Sequence, residues 1–237
     1  MALPQQTSIR FPCRWGGRRP GAGRKRGPGR RRVRHRRRPA LAARFPVHIT
    51  LRLRDDVRRL RNFELCLQLR RVFVHCCDVG GFRICELSIQ GNHIHLICEA
   101  TDAAALSRGM QRLSSMLARR INKLTGRAGT VFADRYHGEI MRTPRHTRNT
   151  LLYVLQNARR HGLRIPAWAG GIDPYSSAWT FDGWRDDAWR AGLSPPRGRS
   201  PTARPHSWLL REGWRRHGLI GVTEVPAAAS RRASRPW

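Results

Sequence analysis

The chain has almost no lysine, few acids and no long apolar run, and each shortage narrows what it can be. Lys25 and Lys123 are the only lysines, so nearly all of the 47 basic side chains are Arg. A GC-rich coding sequence explains that choice of cation. It does not explain why 15 acids face 47 bases, a formal charge of +32 with a pI near 11.9. Such an imbalance needs a polyanion, and nucleic acid accounts for it better than a membrane surface. No stretch approaches the roughly 20 apolar residues of a membrane span, and no apolar signal core is present near Met1. The expectation is a cytoplasmic protein without membrane contact, whose six cysteines stay reduced. Cysteines 13, 66, 76, 77, 85 and 98 show no Cys-x-x-Cys spacing, and the vicinal Cys76-Cys77 pair suits neither an ordinary disulfide nor a zinc knuckle. They read as buried thiols on strands and helices. Also missing are a phosphate-binding Gly-x4-Gly-Lys-Ser/Thr loop, Gly-x-Ser-x-Gly, His-Glu-x-x-His and His-x-His-x-Asp-His. These absences argue against a nucleoside-triphosphate-driven machine, an esterase, a zinc protease and a metallo-β-lactamase-like hydrolase.

The charge is unevenly spread. Residues 1–40 carry fourteen Lys or Arg and no acid, broken up by Pro and Gly. Such a segment buries too little apolar surface to offset its ordering entropy and is expected to be disordered when free. Its densest run includes Arg30, Arg31, Arg32, Arg34, Arg36, Arg37 and Arg38, an arm suited to neutralising phosphates with steep salt dependence. The expected organisation is an arm over 1–43, one domain over 44–185, and an Arg/Pro/Trp-rich extension over 186–237. Trp168, Trp179, Trp184, Trp189, Trp208 and Trp214 either stack on bases or, the preferred reading, pin that extension to the domain.

Alternation from Val47 to Arg54 predicts a first strand. Asp55 or Asp56 is expected to cap a helix carrying Leu60, Phe63, Leu67, Val72 and Val74, ending before Gly80-Gly81. Phe82 to Gln90 and His93 to Glu99 read as a hairpin turning at Gly91-Asn92. Asp102 opens a helix with Leu106, Met110, Leu113, Met116, Leu117 and Ile121 on one face, stopped near Gly126. Thr130 to Phe132 and Tyr136 to Met141 offer further strand, and a last helix runs from Thr147 to Arg160, closed by Gly162. The order β-α-β-β-α-β is that of an α+β, ferredoxin-like antiparallel sheet with helices packed on one face, here followed by one more helix.

On a strand, residues i and i+2 share a face, so His93 and His95 project together while Ile94 and Leu96 point to the other side. Two neutral imidazoles so placed are either metal ligands or ordinary surface groups. Tyr153 and Asn157 are i and i+4 on the last helix and stack on one face. A Tyr among leucines is more often a half-buried core residue than a nucleophile. The Asn one turn later changes the balance, because its carbonyl can complete a His-His-Asn site beside the phenol.

The His93-Ile94-His95 strand, the later Asp134-Arg135-Tyr136-His137, and helical Tyr153-Val154-Leu155-Gln156-Asn157 resemble the REP-associated tyrosine transposases, within the wider single-tyrosine HUH transposases. An Asp173-Pro174-Tyr175-Ser176-Ser177 stretch resembles that family's later Ser-Ser pair, and the likeness covers about residues 45–185. Two departures stand out: Gly91 replaces the Pro before Asn-His, and Ala158 replaces the Pro after the family's Asn, which allows the helix to continue to about Arg160.

The resemblance implies that His93, His95 and Asn157 hold Mg²⁺ or Mn²⁺ and that Tyr153 attacks a single-stranded DNA phosphate. The product would be a 5′-phosphotyrosine and a free 3′-hydroxyl, and rejoining would need no ATP, in keeping with the missing phosphate-binding loop. A phenol has a reference pKa of about 10, so it needs a metal or nearby cations, for which Arg135 and His137 are candidates. The implied partner is single-stranded DNA with REP-like hairpins, handled by a homodimer or a monomer. Two other classes compete. One is a non-catalytic basic nucleic-acid-binding protein, such as a domesticated transposase. The other is a zinc-stabilised module using Cys76, Cys77 and the histidines.

Overall fold

The computed structural model describes residues 40–57, 59–186 and 198–226. The basic run from Arg30 to Arg38 lies outside the described residues, as do Cys13 and Trp189. The elements are β1 (Val47–Arg52), α1 (Phe63–Cys76), β2 (Asp78–Val79), β3 (Phe82–Ile89), β4 (His93–Ala100), α2 (Ala103–Thr125), β5 (His137–Ile140), α3 (Pro144–Leu155), α4 (Asn157–Arg160) and α5 (Trp208–Arg211). The five strands form one antiparallel sheet in the order β2-β3-β4-β1-β5. Leaving aside the short β2, this is the ferredoxin-like α+β arrangement that the element order predicts.

Most elements begin and end where local chemistry dictates. The Asp102 carboxylate accepts from the Ala105 amide at 2.7 Å and opens α2, and Gly126 closes it at φ 65°, a left-handed conformation that glycine adopts without strain. Helix α1 starts later than expected. Asp55 and Asp56 do not cap it; Asp56 pairs with Arg54 at 3.0 Å and Arg127 at 2.7 Å, and the cap is Asn62, whose side chain accepts from the Leu65 amide. The helix therefore buries Leu65, Leu69, Val72, Phe73 and Cys76, leaving Phe63 and Leu67 exposed. Residues 130–132 contribute only an isolated bridge, Leu53 to Phe132, instead of a strand. Helix α3 begins at Pro144, where Thr143 accepts from the His146 amide, and it breaks at Gln156 (φ −107°, ψ 20°) before α4.

Two apolar cores lie on opposite faces of the sheet. The larger joins α1 and α2 to Ile49, Leu51, Leu87, Ile94, Leu96 and Cys98. Its tightest approach is at Gly109 of α2, where a Cβ would come within 2.1 Å of the Phe82 ring. The smaller core forms between the opposite face and α3, joining Ile97 and Cys85 to Leu151, Leu152, Val154 and Leu155. Residues 198–226, expected as part of an extension beyond the domain, complete this second core with Leu210, Trp214, Ile220 and Val222. Arg148 of α3 binds Glu224 through two contacts at 2.8 and 3.0 Å and also donates to the Gly218 and Leu219 carbonyls. Trp184 and Trp214 are buried as pinning residues, whereas Trp168 and Trp208 stay largely exposed. Cys76, Cys85 and Cys98 are buried free thiols, and Cys66 and Cys77 are half-buried.

Ser177 ties the loop before this segment to β3: its hydroxyl accepts from the Leu87 amide at 2.9 Å and donates to the Glu86 carboxylate. Burial pushes the Glu86 carboxyl up to about 8, with Asp182 adding to the rise and the Ser177 bond opposing it. A carboxyl whose folded pKa is raised binds its proton more tightly in the native state, so stability falls as pH rises from the unfolded value toward 8. Glu86→Gln should therefore match the wild type near pH 5 and be the more stable protein near pH 8, as measured by chemical denaturation at both pH values. Trp214→Ala should cost roughly 3–5 kcal/mol in the same assay, because it removes the largest fully buried side chain of the core behind α3.

Candidate active site

Antiparallel pairing sets Thr50 opposite His95 and Arg52 opposite His93, so β1 supplies neighbours to both histidines. With period-2 alternation, His48, Thr50, His93 and His95 share the sheet face on which α3 packs. The His93 and His95 rings meet edge to face, 4.6 Å apart between centroids. His93 Nδ1 lies 2.8 Å from the Asn92 side-chain oxygen, to which it donates, leaving Nε2 with its lone pair. His95 Nδ1 lies 3.1 Å from His48 Nε2 and 3.2 Å from Thr50 Oγ1, while its Nε2 is buried with no protein hydrogen-bond partner.

Helix α3 brings Tyr153 over this cluster. Its ring is 5.0 Å from the His95 ring and 5.8 Å from the His48 ring, both edge to face. At the residue after Arg160, the ring of His161 faces His93 at 6.2 Å. Asn157, which opens α4 after the break at Gln156, lies in the chain between Tyr153 and His161, the two residues whose rings meet the histidine pair. Asn157 is fully buried, and neither its amide oxygen nor its amide nitrogen has a hydrogen-bond partner within the protein. The Arg160 guanidinium stacks 5.1 Å from the Tyr153 ring centre.

The histidines are held neutral. Burial brings His93 down to about 4, with His161 and Arg52 contributing, and burial followed by His48 and His93 holds His95 well below its ordinary value. His48 is likewise held at about 4, by burial and then by His137 and His146. Neutral imidazoles, together with an unpartnered amide oxygen such as that of Asn157, are a nitrogen/oxygen donor set of a kind acceptable to Mg²⁺ or Mn²⁺. Among the described residues, no group of three or more His, Cys, Asp or Glu is placed to hold a metal. The vicinal thiols face elsewhere: Cys76 meets the Met116 sulfur and Cys77 the Val74 carbonyl.

The structure thus gathers His93, His95 and Tyr153 on one face, with Asn157 buried at the start of the following helix. Of the two other expected residues, His137 is exposed at the start of β5, where it pairs opposite Thr50 of β1 as His95 does from the other side, and Arg135 is exposed in the turn before it. The structure also sets Arg160 of α4 over the phenol. Sequence reasoning also missed His48 and Thr50, although their alternation with Val47 and Ile49 was the signal that placed them on one strand face.

If Asn157 is kept for a ligand and not for the fold, an apolar residue of similar size should suit the metal-free protein at least as well. Asn157→Leu should raise stability by about 1 kcal/mol in urea denaturation with chelator present, since a buried unpaired amide costs ~1–3 kcal/mol. A clear loss of stability would identify Asn157 as a structural amide.

Residues 43–156 match the family model described as Transposase IS200 like. Among solved structures, the fold is similar to that of a REP-associated tyrosine transposase bound to a REP hairpin. The two share 16% identity with a TM-score of 0.50, over 74% of this chain and 100% of that one. A Deinococcus radiodurans R1 protein described as a transposase aligns at 15% identity and a TM-score of 0.36, over 57% of this chain and 100% of that one. No curated protein matches the chain. The matched span runs from before β1 to the end of α3, taking in both histidines and Tyr153, and over that span the chain is similar to the IS200-like transposases.

Proposed function

We propose that this protein is a metal-dependent endonuclease and strand transferase for single-stranded, hairpin-containing DNA, with Tyr153 as nucleophile. One observation carries the reading. His95 Nε2, on the ring that meets Tyr153, and both polar atoms of the Asn157 amide are buried without partners, an arrangement that costs stability unless something binds there. His93, His95 and Asn157 would hold Mg²⁺ or Mn²⁺, which when bound neutralises charge developing on the scissile phosphate.

The chain's own groups do the rest. Tyr153 loses its phenolic proton and its oxygen bonds to phosphorus as the bond to the departing 3′-oxygen breaks. The products are a 5′-phosphotyrosine and a 3′-hydroxyl. The energy of the phosphodiester is kept in the new ester, so attack by a 3′-hydroxyl reverses the step without ATP. Arg160 places a positive charge over the ring that must become phenolate, and the α3 packing fixes that ring against His95. A single-stranded substrate can be threaded past this fixed pair, whereas a duplex holds its phosphates along a stiff path.

Hairpin DNA is the proposed partner because a protein of the same fold is known bound to a REP hairpin, and because the +32 charge suits a polyanion. Cytoplasmic location fits such a substrate, and no helix among the described residues is long and apolar enough to cross a membrane.

Incubating the protein with labelled hairpins from inverted repeats of its own genome and Mn²⁺ should give a covalent adduct in denaturing gels. Tyr153→Phe should abolish the adduct while leaving salt-sensitive binding intact. Binding without any adduct across a broad hairpin set would return the protein to the class of non-catalytic nucleic-acid binders. An adduct that persists in Tyr153→Phe would move the nucleophile elsewhere.

A further inference from the structure

We infer that His48 is a positioning residue that sets the protonation tautomer of His95: it accepts the His95 Nδ1–H and so keeps Nε2 free as a lone pair. The inference rests on the metal-site reading of His95 above, but its geometry stands without any metal.

His48 lies on β1, the strand adjacent to β4, and its Nε2 is 3.1 Å from His95 Nδ1 with the rings tilted by 32°. A neutral imidazole carries one proton, and the position of that proton decides which nitrogen can ligate. His95 could hold it on Nδ1, where two partners wait, or on Nε2, where the buried atom has none. The second choice strands a buried donor, which costs more than an unused lone pair and would blunt the site.

Both partners can take either role, Thr50 by rotating its hydroxyl and His48 by its own tautomer. The buried, partnerless Nε2 of His95 breaks the tie: it puts the His95 proton on Nδ1, and the nearer partner, His48 Nε2 at 3.1 Å, then accepts it as a lone pair. The same ring also meets Tyr153 edge to face at 5.8 Å, so it is wedged between nucleophile and ligand and has little room to turn. His93 shows the same logic by another route, since its Nδ1 faces the Asn92 side-chain oxygen, an obligate acceptor. Both histidines thereby present Nε2, one held by the turn at Asn92 and the other by a neighbouring strand. Partners of this kind commonly change metal affinity about 10–100-fold when removed.

The test uses the full chain, free of DNA and metal, labelled with ¹⁵N-histidine. Long-range ¹H–¹⁵N ring spectra should show the His95 proton on Nδ1 in the wild type. In His48→Ala the spectra should show a mixture or the Nε2–H form, and Mn²⁺ affinity by calorimetry should fall about 10–100-fold. His48→Gln, whose side-chain oxygen can reach the place of Nε2, should keep the wild-type tautomer and stay within a few-fold in affinity. A wild-type spectrum with the proton on His95 Nε2 overturns the inference without any variant, which covers the case of a His48→Ala protein that fails to fold. An unchanged tautomer and affinity in His48→Ala overturns it as well. Failure of the metal-site reading looks different: Mn²⁺ binding would then be insensitive to His95→Ala and Asn157→Ala while the tautomer dependence on His48 remained.

Discussion

A polar face of a sheet normally looks into water, and here helix α3 is pressed against it. That placement puts His95 and Asn157 into near-complete burial and brings the Tyr153 ring within contact of two imidazoles. Burial in turn disfavours the charged forms of the histidines, which keeps their lone pairs available. The apolar side of α3 supplies the force, with Leu151, Leu152, Val154 and Leu155 sharing a core with Trp214 and Ile220. Removing that second core would leave the sheet with its other core intact and the nucleophile without an anchor.

Polar groups brought under a helix must be satisfied or used. Around the site most are satisfied in an orderly way: His93 by Asn92, His95 by His48 and Thr50, and Ser177 by β3. His95 Nε2 and both polar atoms of the Asn157 amide are among the buried side-chain atoms without a protein partner.

Much of this was legible in the residue pattern, for particular physical reasons. Alternation about Ile94 put His93 and His95 on one face because that periodicity is local, whereas the expected single helix through Tyr153 and Asn157 is broken at Gln156. The strands, the Asp102 cap and the Gly126 stop were legible for the same reason. What could not be read was register. Nothing in Val47-His48-Ile49-Thr50 says that Thr50 will pair with His95, since that is fixed by packing between strands far apart in the chain. The Asp55-Asp56 cap failed because Arg54 and Arg127 claim Asp56, a distant partner outcompeting a local one. Arg160, which the sequence reading did not single out, reaches the phenol from α4, beyond the break at Gln156. The fold of residues 198–226 was hidden because its apolar residues are spaced irregularly and bury against α3 one by one.

That last segment also links the two halves of the site. At one end the Glu99 carboxylate of β4, the strand that carries both histidines, accepts from the His206 and Ser207 amides. At the other end Glu224 grips Arg148 of α3, the helix that carries Tyr153. The stretch between them works as a gauge block: it fixes the spacing of strand and helix from the outside, within a single chain. The unit that must fold as one is therefore longer than the family span, which ends at residue 156, just before Asn157 and well before the gauge begins.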